Sequence, residues 1–207
     1  MRLVLASSSA HKLRELGALL RPHELEPVPP EVELGPETEE TFAGNARLKA
    51  SRAARATGRI VVADDSGIEA AALGGAPGVR SARFAGPDAS DEDNLRRLLA
   101  EVPLEGDRRA RYVCALVVAA PDGSDWVFEA TCDGVLAAEP RGAGGFGYDP
   151  AFLPDDGPPG CTMAELTSAE KDAVSHRGRA ARALLERIER DGPPPWPVTT
   201  GAPAPSA

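Results

Sequence analysis

Lysine, cysteine and aromatic residues are scarce in this 207-residue chain, and long apolar runs are missing. No stretch approaches the ~20 apolar residues that a membrane-spanning helix needs, which argues against a membrane protein of that kind. The three cysteines, Cys114, Cys132 and Cys161, have neither metal-type spacing nor an even disulfide framework. That usage points to a reducing compartment, and a cytoplasmic protein is expected. Basic residues are also outnumbered, 23 against 32 acidic, for a net charge of −9. Polynucleotide binding leans on basic surface and is disfavoured. A mononucleotide is not, because it needs only a local cluster of cations and a metal. Met1–Ala6 is too short for the apolar region of a signal peptide and reads as a first strand. The length and 42% hydrophobic content suit one ordinary globular domain with a sizeable core.

Only Lys12, Lys49 and Lys171 of the 23 basic residues are lysine. The broad preference for arginine, with the Ala, Gly and Pro load, reflects genome composition rather than chemistry. Against that background, a retained lysine marks a place for a compact ammonium with three rotatable donors. Lysine is also a common phosphate binder. Read singly, each is an ordinary surface lysine. Each nevertheless lies in a segment that stands out for another reason.

The most informative run is Arg59-Ile60-Val61-Val62-Ala63 followed by Asp64-Asp65-Ser66-Gly67. The apolar run predicts a buried strand, and the polar run predicts a tight turn at its carboxyl edge. Ligands bind at that edge in open α/β sheets. Neighbouring strand residues face opposite ways, so the two carboxylates need not share a job. One suits a hard divalent cation and the other suits a water. A plain surface turn accounts for the same residues equally well.

Further along, residues 2–6 form a candidate strand, Ser7-Ser8-Ser9 a polar turn, and 11–20 a helix. Strand, small polar loop and helix start together present backbone N–H groups to an anion; a plain serine cap is the alternative. Residues 21–40 read as an acidic loop or short strand. Residues 41–56 read as a helix whose one face carries Phe42, Asn45, Ala46, Lys49 and Ala53. Residues 79–84 read as extended. Ser90 caps a helix reaching about Val102. Residues 111–119 and 126–136 read as an antiparallel strand pair. Gly142–Pro150 sets Phe146 and Tyr148 among glycines, which suits either a stacking platform or a loop pinned by two buried rings. Thr167 and Glu170 fit a capping box, and Ser175-His176-Arg177-Gly178 interrupts the helix that follows. Residues 191–207 are Pro-rich and are expected to be disordered or loosely attached.

Four of these stretches, in order, resemble the Ham1-type inosine triphosphate pyrophosphatase family over about residues 2–190. They are Leu5-Ala6-Ser7 through Lys12 to Leu16, Glu37-Thr38 through Thr41-Phe42 and Asn45-Ala46 to Lys49-Ala50, and Ala63–Gly67 leading into Gly74–Gly78 and Ser81-Ala82-Arg83. The last is Gly144–Pro150 with Glu165-Leu166, Lys171 and Ser175–Gly178. The resemblance implies an elongated mixed-sheet α/β fold with two lobes flanking a central cleft. It implies a single catalytic domain over 1–190, a homodimer, and Mg²⁺-dependent hydrolysis of ITP, dITP and XTP to monophosphate and pyrophosphate. By residue, it implies Asp65 as general base and Glu37, Asp64 and Asp65 at the metal. Substrate contacts would come from Ser7, Ser8, Ser9, Ala10, His11, Lys12, Lys49 and Ser66. Phe146, Gly147, Tyr148, Asp149, Lys171, His176 and Arg177 would read the base.

Two positions depart from the pattern. The family usually has Asn at the place of Ser9 and Glu at the place of Gly44. Leu5-Ala6-Ser7-Ser8-Ser9 is similar to the Maf-type nucleotide pyrophosphatases, which form the alternative enzyme reading. A nucleotide-binding protein without turnover is the non-enzymatic alternative. A haloacid-dehalogenase-type phosphatase would need a spacer between two aspartates, which Asp64-Asp65 lacks.

Overall fold

The computed structural model describes residues 1–195. The strands are β1 (Arg2–Leu5), β2 (Glu24–Pro27), β3 (Val61–Ala70), β4 (Arg109–Ala119), β5 (Asp125–Leu136) and β6 (Phe152–Pro154). The helices are α1 (Ala10–Leu19), α2 (Phe42–Thr57), α3 (Asp91–Glu101), α4 (Ser168–Val174) and α5 (His176–Asp191). The strands join in one mixed sheet of order β2-β1-β3-β4-β5-β6. β1 runs parallel to both β2 and β3, and β5 runs antiparallel to β6. The α/β class expected from the sequence is therefore observed.

Contacts divide the chain into two compact units. The first comprises residues 1–64, 116–128 and, among described residues, 181–195. Its buried positions include Leu3–Ala6, Leu16, Leu20 and the alanine stripe Ala46, Ala50, Ala53 and Ala54 of α2. The second comprises residues 65–115 and 129–180. Its core gathers Ile68, Leu95, Leu98, Tyr112, Leu136, Tyr148, Phe152 and Met163.

Local signals placed most helix starts. Ser9 caps α1 by accepting the Lys12 N–H at 3.3 Å. Thr41 caps α2, and Ser90 closes a full capping box with Asp93 on α3. The Thr167–Glu170 box opens α4. The expected tail from 191 falls largely on residues 196–207, outside the described residues.

Two expectations are corrected. β3 does not turn at Asp64 but continues through Asp65, Ser66 and Gly67 to Ala70. The turn propensity of Asp-Asp-Ser-Gly is overridden by tertiary pairing. Gly67 shows how: a Cβ there would lie 2.3 Å from Ser81 Oγ and 2.5 Å from the Gly78 carbonyl. The missing side chain admits Ser81, whose Oγ accepts the Ile68 N–H at 2.9 Å. A glycine inside a strand commonly marks such close approach. Residues 79–84 read as extended, but Gly78–Arg83 form a 3₁₀ helix. Ser81 closes it by donating to the Gly78 carbonyl at 2.6 Å.

Candidate active site

In the first unit, the pairing of β1 with β3 ends at Leu5 opposite Val62. Asp64 therefore emerges just past the end of β1, on the edge where the Ser7–Ser9 loop starts. Asp64 is 1% exposed. Lys12, in the first turn of α1, reaches its Oδ2 at 3.0 Å. Lys49 Nζ donates to Glu37 Oε1 at 2.6 Å. The structure thus brings two of the three lysines onto two of the acids expected at the metal. A buried carboxylate requires such a partner.

Ser7 Oγ accepts the Ser9 N–H at 3.1 Å, which shapes the loop in front of α1. Ser8 and Ala10 are exposed. His11 is exposed and sits with its Nδ1 2.8 Å from Arg14. Asn45 does not present a free amide on its face of α2. It clamps the Glu39 backbone, accepting from N–H at 3.0 Å and donating to C=O at 3.2 Å. Gly44 leaves room for Glu39. A Cβ at position 44 would sit 2.7 Å from Glu39 Cβ and 2.9 Å from Thr41 Oγ1.

In the second unit, Asp149 organises the expected base loop. Its Oδ2 accepts from Lys171 Nζ at 2.8 Å and from the Phe146 N–H at 2.9 Å. Lys171 and Arg177 both lie over the half-buried Phe146 ring, 5.1 and 5.6 Å from its centroid. A cation above an aromatic face is attracted by the ring quadrupole. Arg177 is 2% exposed and donates to Ser66 Oγ at 2.9 Å. Tyr148 is a pinned ring, not an open face. It is buried, its hydroxyl donates to the Ser81 carbonyl at 2.7 Å, and burial pushes its phenol well above the usual range. Gly147 N–H donates to Asp91 Oδ2 at 2.8 Å. Of the two rings, Tyr148 is the buried anchor, and Phe146 is a half-buried ring beneath two cations.

The break before α5 lies at Ser175. Its N–H closes α4 on the Lys171 carbonyl at 2.8 Å, and its Oγ accepts the Gly178 N–H at 3.0 Å. One residue thus ends one helix and starts the next, which fixes His176 and Arg177 in the first turn of α5. Both are buried.

Sequence reasoning missed Tyr112 and Asp91. Tyr112, on β4, donates to Asp149 Oδ1 at 3.1 Å and stacks on His176. Nothing in a single sequence ties position 112 to position 149.

The acids suit a divalent metal in kind. Asp64, Asp65 and Glu37 offer hard oxygen donors. Among the described residues, no three Asp, Glu, His or Cys side chains form a ready metal cage.

The chain is similar to known proteins over most of its length. The Ham1 family profile matches residues 3–187. The chain is 49% identical over 198 residues to a dITP/XTP pyrophosphatase of Geobacillus kaustophilus, covering 90% of this chain and 94% of that one. It is 46% identical over 197 residues to a dITP/XTP pyrophosphatase of Escherichia coli O157:H7, covering 90% and 98%. Among solved structures it is similar to the Staphylococcus aureus Ham1 protein. The TM-score there is 0.82 at 36% identity, over 92% of this chain and 100% of that chain. On the profile, the identities and the shared fold, the chain belongs to the Ham1 family.

Proposed function

We propose that the protein hydrolyses non-standard purine nucleoside triphosphates, ITP, dITP and XTP, to the monophosphate and pyrophosphate. The observation that carries this reading is the Phe146 cluster, an aromatic face beneath Lys171 and Arg177 with Asp149 holding Lys171 in place. Lysine and arginine carry donors only. Such donors match a purine keto oxygen, whereas an exocyclic amine would leave donors facing donors.

The triphosphate is assigned to the Ser7–Lys12 segment and Lys49. The start of α1 and two ammonium groups suit phosphate oxygens. Asp65 is assigned as the general base that takes the proton of the attacking water. Asp64, Asp65 and Glu37 are assigned to the divalent cation, and we assign Mg²⁺. When bound, the metal would neutralise phosphate charge as a Lewis acid. Lys12 and Lys49, held in place by Asp64 and Glu37, supply further positive charge from the chain itself. Ser66, tied to Arg177, follows Asp65 directly on β3, so the chain links the catalytic carboxylate to the base-reading cluster within two residues. A homodimer, a cytoplasmic location and one catalytic domain over residues 1–190 complete the proposal. No helix among the described residues is long and apolar enough to cross a membrane.

The test is a product assay with Mg²⁺ and, separately, ITP, XTP, dITP, GTP and ATP. Pyrophosphate from ITP, XTP and dITP, with little from ATP or GTP, is the expected result. Orthophosphate as the main product, or ITP binding without turnover, overturns it. His176→Ala is expected to reduce the ITP-over-ATP preference about tenfold while slowing ITP turnover only a few-fold. The ratio of kcat/KM values measures this, and an unchanged ratio removes His176 from base reading.

A further inference from the structure

Tyr112 touches two residues of the base-reading cluster at once. It is 7% exposed on β4. Its ring lies parallel to the His176 imidazole, with centroids 4.6 Å apart and planes 3° apart. The ring also meets Phe152 edge-on at 4.8 Å and 72°. Its hydroxyl donates to Asp149 Oδ1 at 3.1 Å, while Oδ2 of the same carboxylate holds Lys171 and the Phe146 N–H. Burial, then the Asp149 charge, pushes the phenol well above its ordinary range. It therefore stays protonated near neutral pH and remains a donor to the carboxylate.

Terminal carboxylate torsions are broad when nothing holds them. Here one oxygen is tied by Tyr112 and the other by two donors, so the carboxylate cannot turn without breaking a bond. Lys171, which hangs from it, inherits that orientation. The parallel phenol face likewise restricts the imidazole to its own plane. Groups that read a base must be held within a fraction of an ångström to discriminate well.

We propose that Tyr112 is a specificity-positioning residue, which locks the Asp149 carboxylate and the His176 ring together so that Lys171 and His176 meet the purine edge in fixed orientation. The inference rests on the proposed function. It adds a residue that need not touch the nucleotide and acts through two that do.

The test compares Tyr112→Phe, which keeps both ring contacts and removes the hydroxyl, with Tyr112→Leu, which removes both. In Tyr112→Phe the ITP-over-ATP ratio of kcat/KM should fall about tenfold, mainly through KM for ITP, with kcat retained. Tyr112→Leu should lower the ratio further. It should also move the His176 imidazole proton resonances, which Tyr112→Phe leaves in place. An unchanged ratio in Tyr112→Phe, or an equal loss of kcat on every nucleotide, overturns the inference. Calorimetric binding of IMP and AMP separates it from the proposed function. If wild-type protein releases no pyrophosphate, the catalytic reading fails. An IMP preference that drops in Tyr112→Phe still supports the positioning role. No preference in the wild type, or an unchanged one in the variant, overturns that role.

Discussion

Asp65→Asn is expected to cut pyrophosphate release from ITP about a thousandfold while leaving nucleotide binding within a few-fold. The two side chains are nearly the same shape, so the buried place on β3 is still filled. The amide cannot take a proton from water, which removes the proposed general base, while its remaining oxygen is a weaker donor to the proposed cation. The neighbouring carboxylate supplies a contrast. Asp64 holds Lys12 at 3.0 Å, so Asp64→Asn strips an ammonium of its partner and disturbs phosphate binding and rate together. Single-turnover rates with calorimetric binding separate the two patterns. A near-full rate in Asp65→Asn would move the general-base role elsewhere.

Gly178→Ala is expected to lower the thermal midpoint by about 10 °C and to abolish most activity with it. A Cβ there would lie 2.0 Å from the Asp172 carbonyl oxygen and 3.0 Å from its carbon. Those atoms belong to the α4 backbone and cannot swing aside as a side chain would. Overpacking of this kind costs about 1–3 kcal/mol, and more where nothing yields. The joint that would open carries Ser175, which caps α5, and the adjoining His176 and Arg177. Gly17→Ala is the matched control. Nothing lies within 4 Å of a Cβ in that α1 position, so alanine should stabilise the helix by about 0.5–1 kcal/mol. Thermal melts of both variants check the pair. Equal midpoints would mean that the α4–α5 joint is not tight.

The features legible in the sequence were those fixed by near neighbours. Thr167 and Glu170 lie three residues apart and announced α4. Ser90 did the same for α3. The scarcity of lysine pointed to Lys12, Lys49 and Lys171, and each is found on a carboxylate: Asp64, Glu37 and Asp149. The illegible features depend on distant partners. β3 runs past Asp64 because Ser81 packs into the space at Gly67, and no local pattern reveals that approach. Tyr112 finds Asp149 across 37 residues, so it looked like one more strand aromatic. Asn45 was suspicious on its helix face, yet its amide serves the Glu39 backbone. A polar residue on an apolar stripe signals a buried hydrogen bond more directly than it signals a ligand.

Gly44 constrains which changes the chain can accept. The family resemblance implies glutamate there, but Glu39 fills that space, with its Cβ 2.7 Å from where a side chain at 44 would begin. Asn45 holds the Glu39 backbone from both sides, so that residue cannot simply drift away. Gly44→Glu alone therefore meets a filled place. A change at position 39 has to come first, and the two sites form an epistatic pair in which the order of mutations decides which paths remain open.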